Sequence, residues 1–108
     1  MMRSEVNVWS LEKAMDIKEV LILLQTDYEQ NQFIIENETP TDNCAIYLRH
    51  RELPRFRAYL FTIGQSKERY GVHLEFPKAE SQTNLMESYE NLTYKTLSEI
   101  LAVHLDLV

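Results

Sequence analysis

The chain has 108 residues, of which 44% are hydrophobic and 26% are charged, and its formal net charge is −6. These values predict one globular domain over residues 1–108, with a loose segment at residues 1–9, and they exclude a largely disordered chain or two separate cores. The low count of two glycines and three prolines disfavours a glycine-rich phosphate loop, and a single cysteine excludes an internal disulfide.

The first periodic segment predicts a helix. Apolar residues recur at spacings of three and four over residues 10–30, as on one face of an amphipathic helix. Ser10 suits the N-cap of this helix, but Asp16 and Glu19 could instead start a second helix after a break near Ala14. Both alternatives remain open.

Four short segments rich in β-branched and aromatic residues follow, and they predict strands. They are residues 32–36, 44–50, 55–63 and 70–76, with a turn at residues 37–43 and two hairpin-sized connections between the later strands. Pro77 ends the last of them because proline cannot donate to a strand ladder. The pattern predicts an antiparallel meander of three or four strands.

The C-terminal part predicts a second helix. Apolar residues return to helical spacing after a cap near Thr93, whereas residues 85–90 fit either an extra helical turn or a loop. The order helix, strands, helix predicts an α+β fold. We expect a two-layer sandwich with the N- and C-terminal helices packed on one face of the sheet.

Charge is divided unevenly along the chain. The net charge is −5 over residues 1–40, +3 over residues 41–78 and −4 over residues 79–108. The predicted sheet is therefore basic and the predicted helices acidic. Four arginines, at positions 49, 51, 55 and 57, fall within nine residues around one predicted hairpin.

Alternation along the strands assigns side chains to faces. Ile46, Ala58 and Val72 belong to the apolar set that we expect to face the helices. The opposite set would lie on an open face, and it comprises Tyr47, Arg49, Arg57, Tyr59, Phe61, Arg69 and His73.

Three interpretations fit an open face of arginine and aromatic residues. It could be an ordinary solvated face, whose arginine stems cover apolar surface and pair with the acidic helices. It could be a protein interface, where tyrosine, phenylalanine and arginine are enriched. It could also stack bases and hold phosphates of single-stranded RNA, although the net negative charge of the chain opposes a polyanion.

Catalytic signals are weak. His50, His73 and Glu75, with Arg57, could form a ribonuclease-like acid and base group, since that chemistry needs proton donors and a cation. His104 fits a core or helix-end role better. No metal-ligand spacing or nucleophile motif is present, so we expect neither a metal nor a cofactor.

The sequence favours a non-enzymatic protein-binding module of the inhibitor, immunity or regulatory-adaptor type. It would act through its acidic helices or its open sheet face, on another protein or on a second copy in a homodimer. Nucleic acid is the less favoured partner. No apolar run suits a signal peptide or a membrane span, so we expect a cytoplasmic protein and no membrane partner.

Overall fold

The computed structural model describes residues 7–29, 32–36, 41–77 and 84–108. Residues Val8–Ser10 form a 3-10 turn, in which the Asn7 side chain accepts a hydrogen bond from the Trp9 backbone N–H. Val8 in this turn is only 2% exposed. Residues 1–6 of the segment predicted to be loose lie outside the described residues.

Helix α1 spans Met15–Asp27, so the helix begins after the break expected near Ala14 and is preceded by the 3-10 turn and not by an α-helix capped at Ser10. Ala14 offers no side-chain cap, but its backbone N–H donates to the Asn43 carbonyl oxygen at 2.9 Å. Helix α2 spans Tyr94–His104, and the Thr93 hydroxyl caps it by accepting from the Thr96 N–H. The predicted cap of α2 is therefore in place.

The sheet is a five-stranded antiparallel meander whose spatial order equals the chain order. Its strands are β1 (Phe33–Glu36), β2 (Ala45–His50), β3 (Arg57–Phe61), β4 (Tyr70–Pro77) and β5 (Asn84–Leu92). The α+β fold predicted from the sequence is confirmed, with five strands instead of three or four.

Strand β5 corrects the prediction for residues 85–90, which were expected to form a helical turn or a loop. Leu85, Tyr89 and Leu92 are spaced by four and three residues, so they imitate a helix. The segment pairs along its length with β4, with a register irregularity opposite Tyr70 and Val72. As an edge strand it is exposed along most of its length, and it therefore lacks the alternation that marks a half-buried strand.

The hydrophobic core lies between one sheet face and the two helices. Helices α1 and α2 contribute fully buried side chains such as Leu21 and Leu101, and the sheet contributes Leu48, Leu60 and Val72. This layering leaves the other sheet face free of both helices, and we call it the open face. Among the described residues, no helix is long and apolar enough to cross a membrane.

Candidate functional site: the open sheet face

Strand register brings most of the predicted open-face residues together. One row across the sheet runs through Glu36, Tyr47, Tyr59 and His73, and the next runs through Arg49, Arg57 and Glu75. Because pairing partners in neighbouring strands point to the same face, both rows lie on the open face. With Phe61, these residues form what we call the aromatic–ionic cluster: Glu36, Tyr47, Arg49, Arg57, Tyr59, Phe61, His73 and Glu75.

The arginines of the cluster are bound to carboxylates. Arg49 Nε lies 3.0 Å from Glu36 Oε1, and Arg57 Nη2 lies 3.3 Å from Glu36 Oε2. Arg57 Nη1 lies 3.6 Å from Glu75 Oε1. The two carboxylate side chains are only 18% and 12% exposed, so water screens these pairs less than it would on an open surface.

Arg57 is the centre of the cluster. Its guanidinium carbon lies 3.8 Å from the centroid of the Tyr47 ring, a cation–π contact. Its Nε is buried and has no hydrogen-bond acceptor among the described residues. Burial, followed by the negative charge of Glu75, raises the pKa of Tyr47, so the Tyr47 hydroxyl stays protonated.

Aromatic rings continue the cluster across the sheet. The Tyr47 and Tyr59 centroids are 5.0 Å apart, and the Tyr59 ring stacks on His73 at 5.7 Å. Phe61 meets His73 edge-on at 4.9 Å. Phe61 is only 7% exposed although it lies on the open face, and its ring lies against Gly71, where a Cβ atom would come within 2.3 Å of it. The absence of a side chain at Gly71 therefore makes room for the ring.

Arg69 is placed apart from the cluster. It lies in the turn before β4, and its Nη1 donates to the Asn91 carbonyl oxygen of β5 at 3.3 Å. Two other arginines of the hairpin group also point elsewhere. Arg51 binds the Asp106 carbonyl oxygen at 2.6 Å, and Arg55 Nε donates to Asn84 Oδ1 at 2.9 Å. The four arginines at positions 49, 51, 55 and 57 therefore do not form one common site.

The structure does not assemble the predicted acid and base group. His50 faces the helix side, where it is 5% exposed, whereas His73 and Glu75 lie on the open face. His50 Nδ1 accepts from the backbone N–H groups of Glu52 and Leu53, each at 3.0 Å, so it organises the β2–β3 turn. His73 and Glu75 share a face, but Glu75 is paired with Arg57.

His104 has the helix-end position expected for it. Its Nε2 lies 2.8 Å from the Arg57 carbonyl oxygen, and its ring packs 5.7 Å from that of Phe56. Within the described ranges, no group of three or more His, Cys, Asp or Glu side chains is arranged to hold a metal ion.

A second surface was missed by the sequence interpretation because its strand was missed. Between β5 and α2 lies a groove of about 420 Å³. We call it the β5–α2 groove, and it is lined by Leu74, Glu87, Tyr89, Thr96, Glu99, Ile100, Val103 and His104. The sequence carries no periodic signal for this groove, because Tyr89 and Val103 are apolar residue types whose exposure, 40% and 86%, depends on how β5 meets α2.

No protein-family model, curated protein or solved structure matches the chain.

Proposed function

We propose that this chain is a non-enzymatic protein-binding module of the inhibitor, immunity or regulatory-adaptor type, and that its open face contacts the partner. The observation that carries the proposal is the pairing of Arg49 and Arg57 with Glu36 and Glu75. These pairs balance the charge of the cluster and hold its long side chains in one geometry. Side chains that are already ordered lose less entropy on binding.

The composition of the cluster suits a protein partner. Tyrosine and arginine are the residues that most often dominate binding energy in protein interfaces, where they present large rigid surfaces with polar ends. Tyr47 and Tyr59 are half-buried and packed against each other, with Arg57 over the Tyr47 ring. The partner would be another protein or a second copy of this chain.

The same pairs argue against the alternative of single-stranded RNA. A phosphate would have to displace a carboxylate from Arg49 or Arg57, and the chain as a whole carries a net charge of −6. A ribonuclease-like role has less support, because His50 and His73 lie on opposite faces.

A cytoplasmic location is part of the proposal. The single cysteine, Cys44, is free and half-buried, so the fold does not depend on an internal disulfide.

The proposal is tested by cross-linking and affinity capture from native cytosol with matched variants. Tyr59→Ala removes a half-buried ring of the open face, and Tyr89→Ala removes a ring that is 40% exposed on the helix side of the sheet. We expect a partner that is lost with Tyr59→Ala and kept with Tyr89→Ala. Circular dichroism and thermal unfolding serve as the controls for folding.

A charge variant sharpens the test. Arg49→Ala removes an arginine that is paired with Glu36, whereas Arg57 bridges both Glu36 and Glu75, so this variant should leave the sheet folded. We expect it to weaken capture of the same partner. If Tyr59→Ala and Arg49→Ala both retain every captured protein, the proposal that the open face contacts a partner is contradicted.

A further inference from the structure

Strand β5 is a long edge of the sheet. It pairs with β4 on one side, and no other described strand pairs with its second side. It has nine residues, whereas the opposite edge strand, β1, has four. Half of the backbone N–H and C=O groups of an edge strand point outward, so β5 offers a ladder to which another strand can add.

The usual protections of an edge are few on β5. Residues 84–92 contain neither lysine nor proline, the residues that commonly block edge pairing. Leu85, Met86 and Tyr89 are 43%, 58% and 40% exposed. Asn91 has a positive φ of 56°, and its backbone N–H donates to the Gln65 side chain. The backbone irregularity of β5 therefore lies at the C-terminal end of the strand.

The β5–α2 groove lies beside this edge and is acidic. Leu74, Ile100 and Val103 supply apolar surface, and Val103 is 86% exposed. Glu87 and Glu99 supply two carboxylates, and no lysine or arginine is among the lining residues. Glu87 accepts a hydrogen bond from the Tyr89 hydroxyl at 3.2 Å, which fixes one carboxylate beside the strand.

We propose that β5 and the β5–α2 groove bind an extended segment of another protein in which basic and apolar residues alternate. The segment adds to the sheet as a sixth strand. Its basic side chains lie on the helix side, with their aliphatic stems along Ile100 and Val103 and their charged ends at Glu87 and Glu99. Its apolar side chains lie on the other side, next to Met86.

The negative charge of β5 argues against a second copy of this chain as the strand that pairs with it. Antiparallel pairing of two β5 strands would bring two copies of Glu87 and two of Glu90 to one seam without a compensating cation from either strand. Like charges across a strand pair are destabilising. A basic segment meets the same carboxylates with the opposite sign. This inference goes beyond the open-face proposal and does not depend on it.

The experiment measures fluorescence anisotropy of a labelled nine-residue peptide of alternating arginine and valine, titrated with the intact chain at low salt. We expect saturable binding, and no binding of a matched peptide of alternating glutamate and valine. Glu87→Gln and Glu99→Gln should each weaken binding about fivefold, the range of a partly exposed ion pair. Glu12→Gln, an exposed acid of the N-terminal region, is the control with the same change in net charge.

Two isomeric peptides test strand addition itself. Each is methylated at alternate backbone nitrogens, so that in one isomer the lost donors face β5 and in the other they face solvent. We expect the isomer whose lost donors face β5 to bind with an affinity more than tenfold lower than the other isomer, because methylation removes several ladder hydrogen bonds at once.

Three outcomes would overturn the inference. They are no binding of the arginine–valine peptide, equal affinity of the two methylated isomers, or equal weakening by Glu87→Gln, Glu99→Gln and Glu12→Gln. A dimer in sedimentation velocity that Tyr89→Ala abolishes would assign the edge to self-pairing instead. Since none of these variants touches the aromatic–ionic cluster, the open-face proposal would stand or fall separately.

Discussion

Gly71 is a residue whose lack of a side chain determines how the open face is covered. The ring of Phe61 lies over it, and two ring carbons would be 2.3 Å from a Cβ atom at this position. Real Cβ contacts do not become this short, and the contact belongs to an inflexible ring beside the backbone. The ring must therefore move if any other residue replaces the glycine.

We predict that Gly71→Ala destabilises the protein by about 1–3 kcal/mol, the usual cost of overpacking a well-packed site. Urea unfolding measures the change. Phe61→Ala alone should cost about 3 kcal/mol, because Phe61 is 7% exposed. The double variant should cost clearly less than the sum, since the clash is absent once the ring is removed. If the stability losses of Gly71→Ala and Phe61→Ala simply add in the double variant, the contact between Gly71 and the Phe61 ring is contradicted.

His50 illustrates a residue whose role changes once its face is known. We predict that His50→Ala lowers the free energy of unfolding by about 2 kcal/mol, because two backbone N–H groups in the β2–β3 turn lose their acceptor. His50→Asn, which offers a side-chain oxygen, should recover part of the loss. Thermal unfolding of the two variants provides the measurement, and equal stability of both would argue against the capping role.

At the scale of elements, a side-chain hydrogen bond joins the two helices. The Tyr94 hydroxyl, in the first turn of α2, donates to Asp27 Oδ2 at the end of α1 at 2.6 Å. Burial, followed by the hydrogen bond and the negative charge of Asp27, raises the pKa of Tyr94 well above the ordinary tyrosine value of about 10.

The raised pKa has a consequence for stability at alkaline pH. The folded protein holds the Tyr94 proton more tightly than the unfolded chain, so its contribution is complete below about pH 10 and is lost as the pH rises further. We predict that the free energy of unfolding falls more steeply above pH 10 in the natural chain than in Tyr94→Phe. At neutral pH the variant should be about 1 kcal/mol less stable.

Urea titrations at several pH values between 7 and 11.5 measure this difference. The pKa values of Tyr47 and Tyr70 are also raised, mainly by burial, but both tyrosines remain in the variant and affect the two proteins alike. Parallel curves for the two proteins across this range would contradict the assignment to Tyr94.

Elements with a clear periodicity were predictable from the sequence, and β5 was not. The half-buried strands alternate, so the pattern at Tyr47, Arg49, Tyr59 and His73 placed these residues on one face as the structure does. Strand β5 is exposed on both sides, and no burial imposes alternation on it. The sequence pattern therefore predicted neither surface. The edge is the unpaired side of β5, and the β5–α2 groove forms where this strand meets α2.

Contacts between distant residues also lay beyond the sequence pattern. Alternation places Glu36 and Glu75 on strands but does not show which arginine each carboxylate binds. The pairing depends on strand order and register. Alternation alone separates His50 from His73, because His50 shares the face of Ile46 on β2, whereas His73 lies on the face opposite to Val72. The binding role of the open face stays a prediction.

For the whole molecule, the balance of charge on the open face determines how it meets a polyanion. We predict that the natural chain does not bind a labelled oligouridine in low salt, because its two cluster arginines are held by Glu36 and Glu75. The double variant Glu36→Gln, Glu75→Gln frees both arginines and should gain weak, salt-sensitive binding. Anisotropy titrations at two salt concentrations measure it.

Binding of oligouridine by the natural chain, with loss in Arg57→Gln, would contradict this prediction and favour the nucleic-acid alternative. Glu12→Gln combined with Glu52→Gln is the matched control, since it makes the same change in net charge at exposed sites away from the open face.

The meander order of the sheet also bears on how the protein forms. Each of the five described strands bonds to its neighbours along the chain, so each pairing closes a short loop and needs no segment that is made much later. Such local pairing favours refolding within about milliseconds for a chain of this size. During synthesis, the growing polypeptide can extend its sheet one hairpin at a time as it leaves the ribosome, and α2 then closes the last open side of the core.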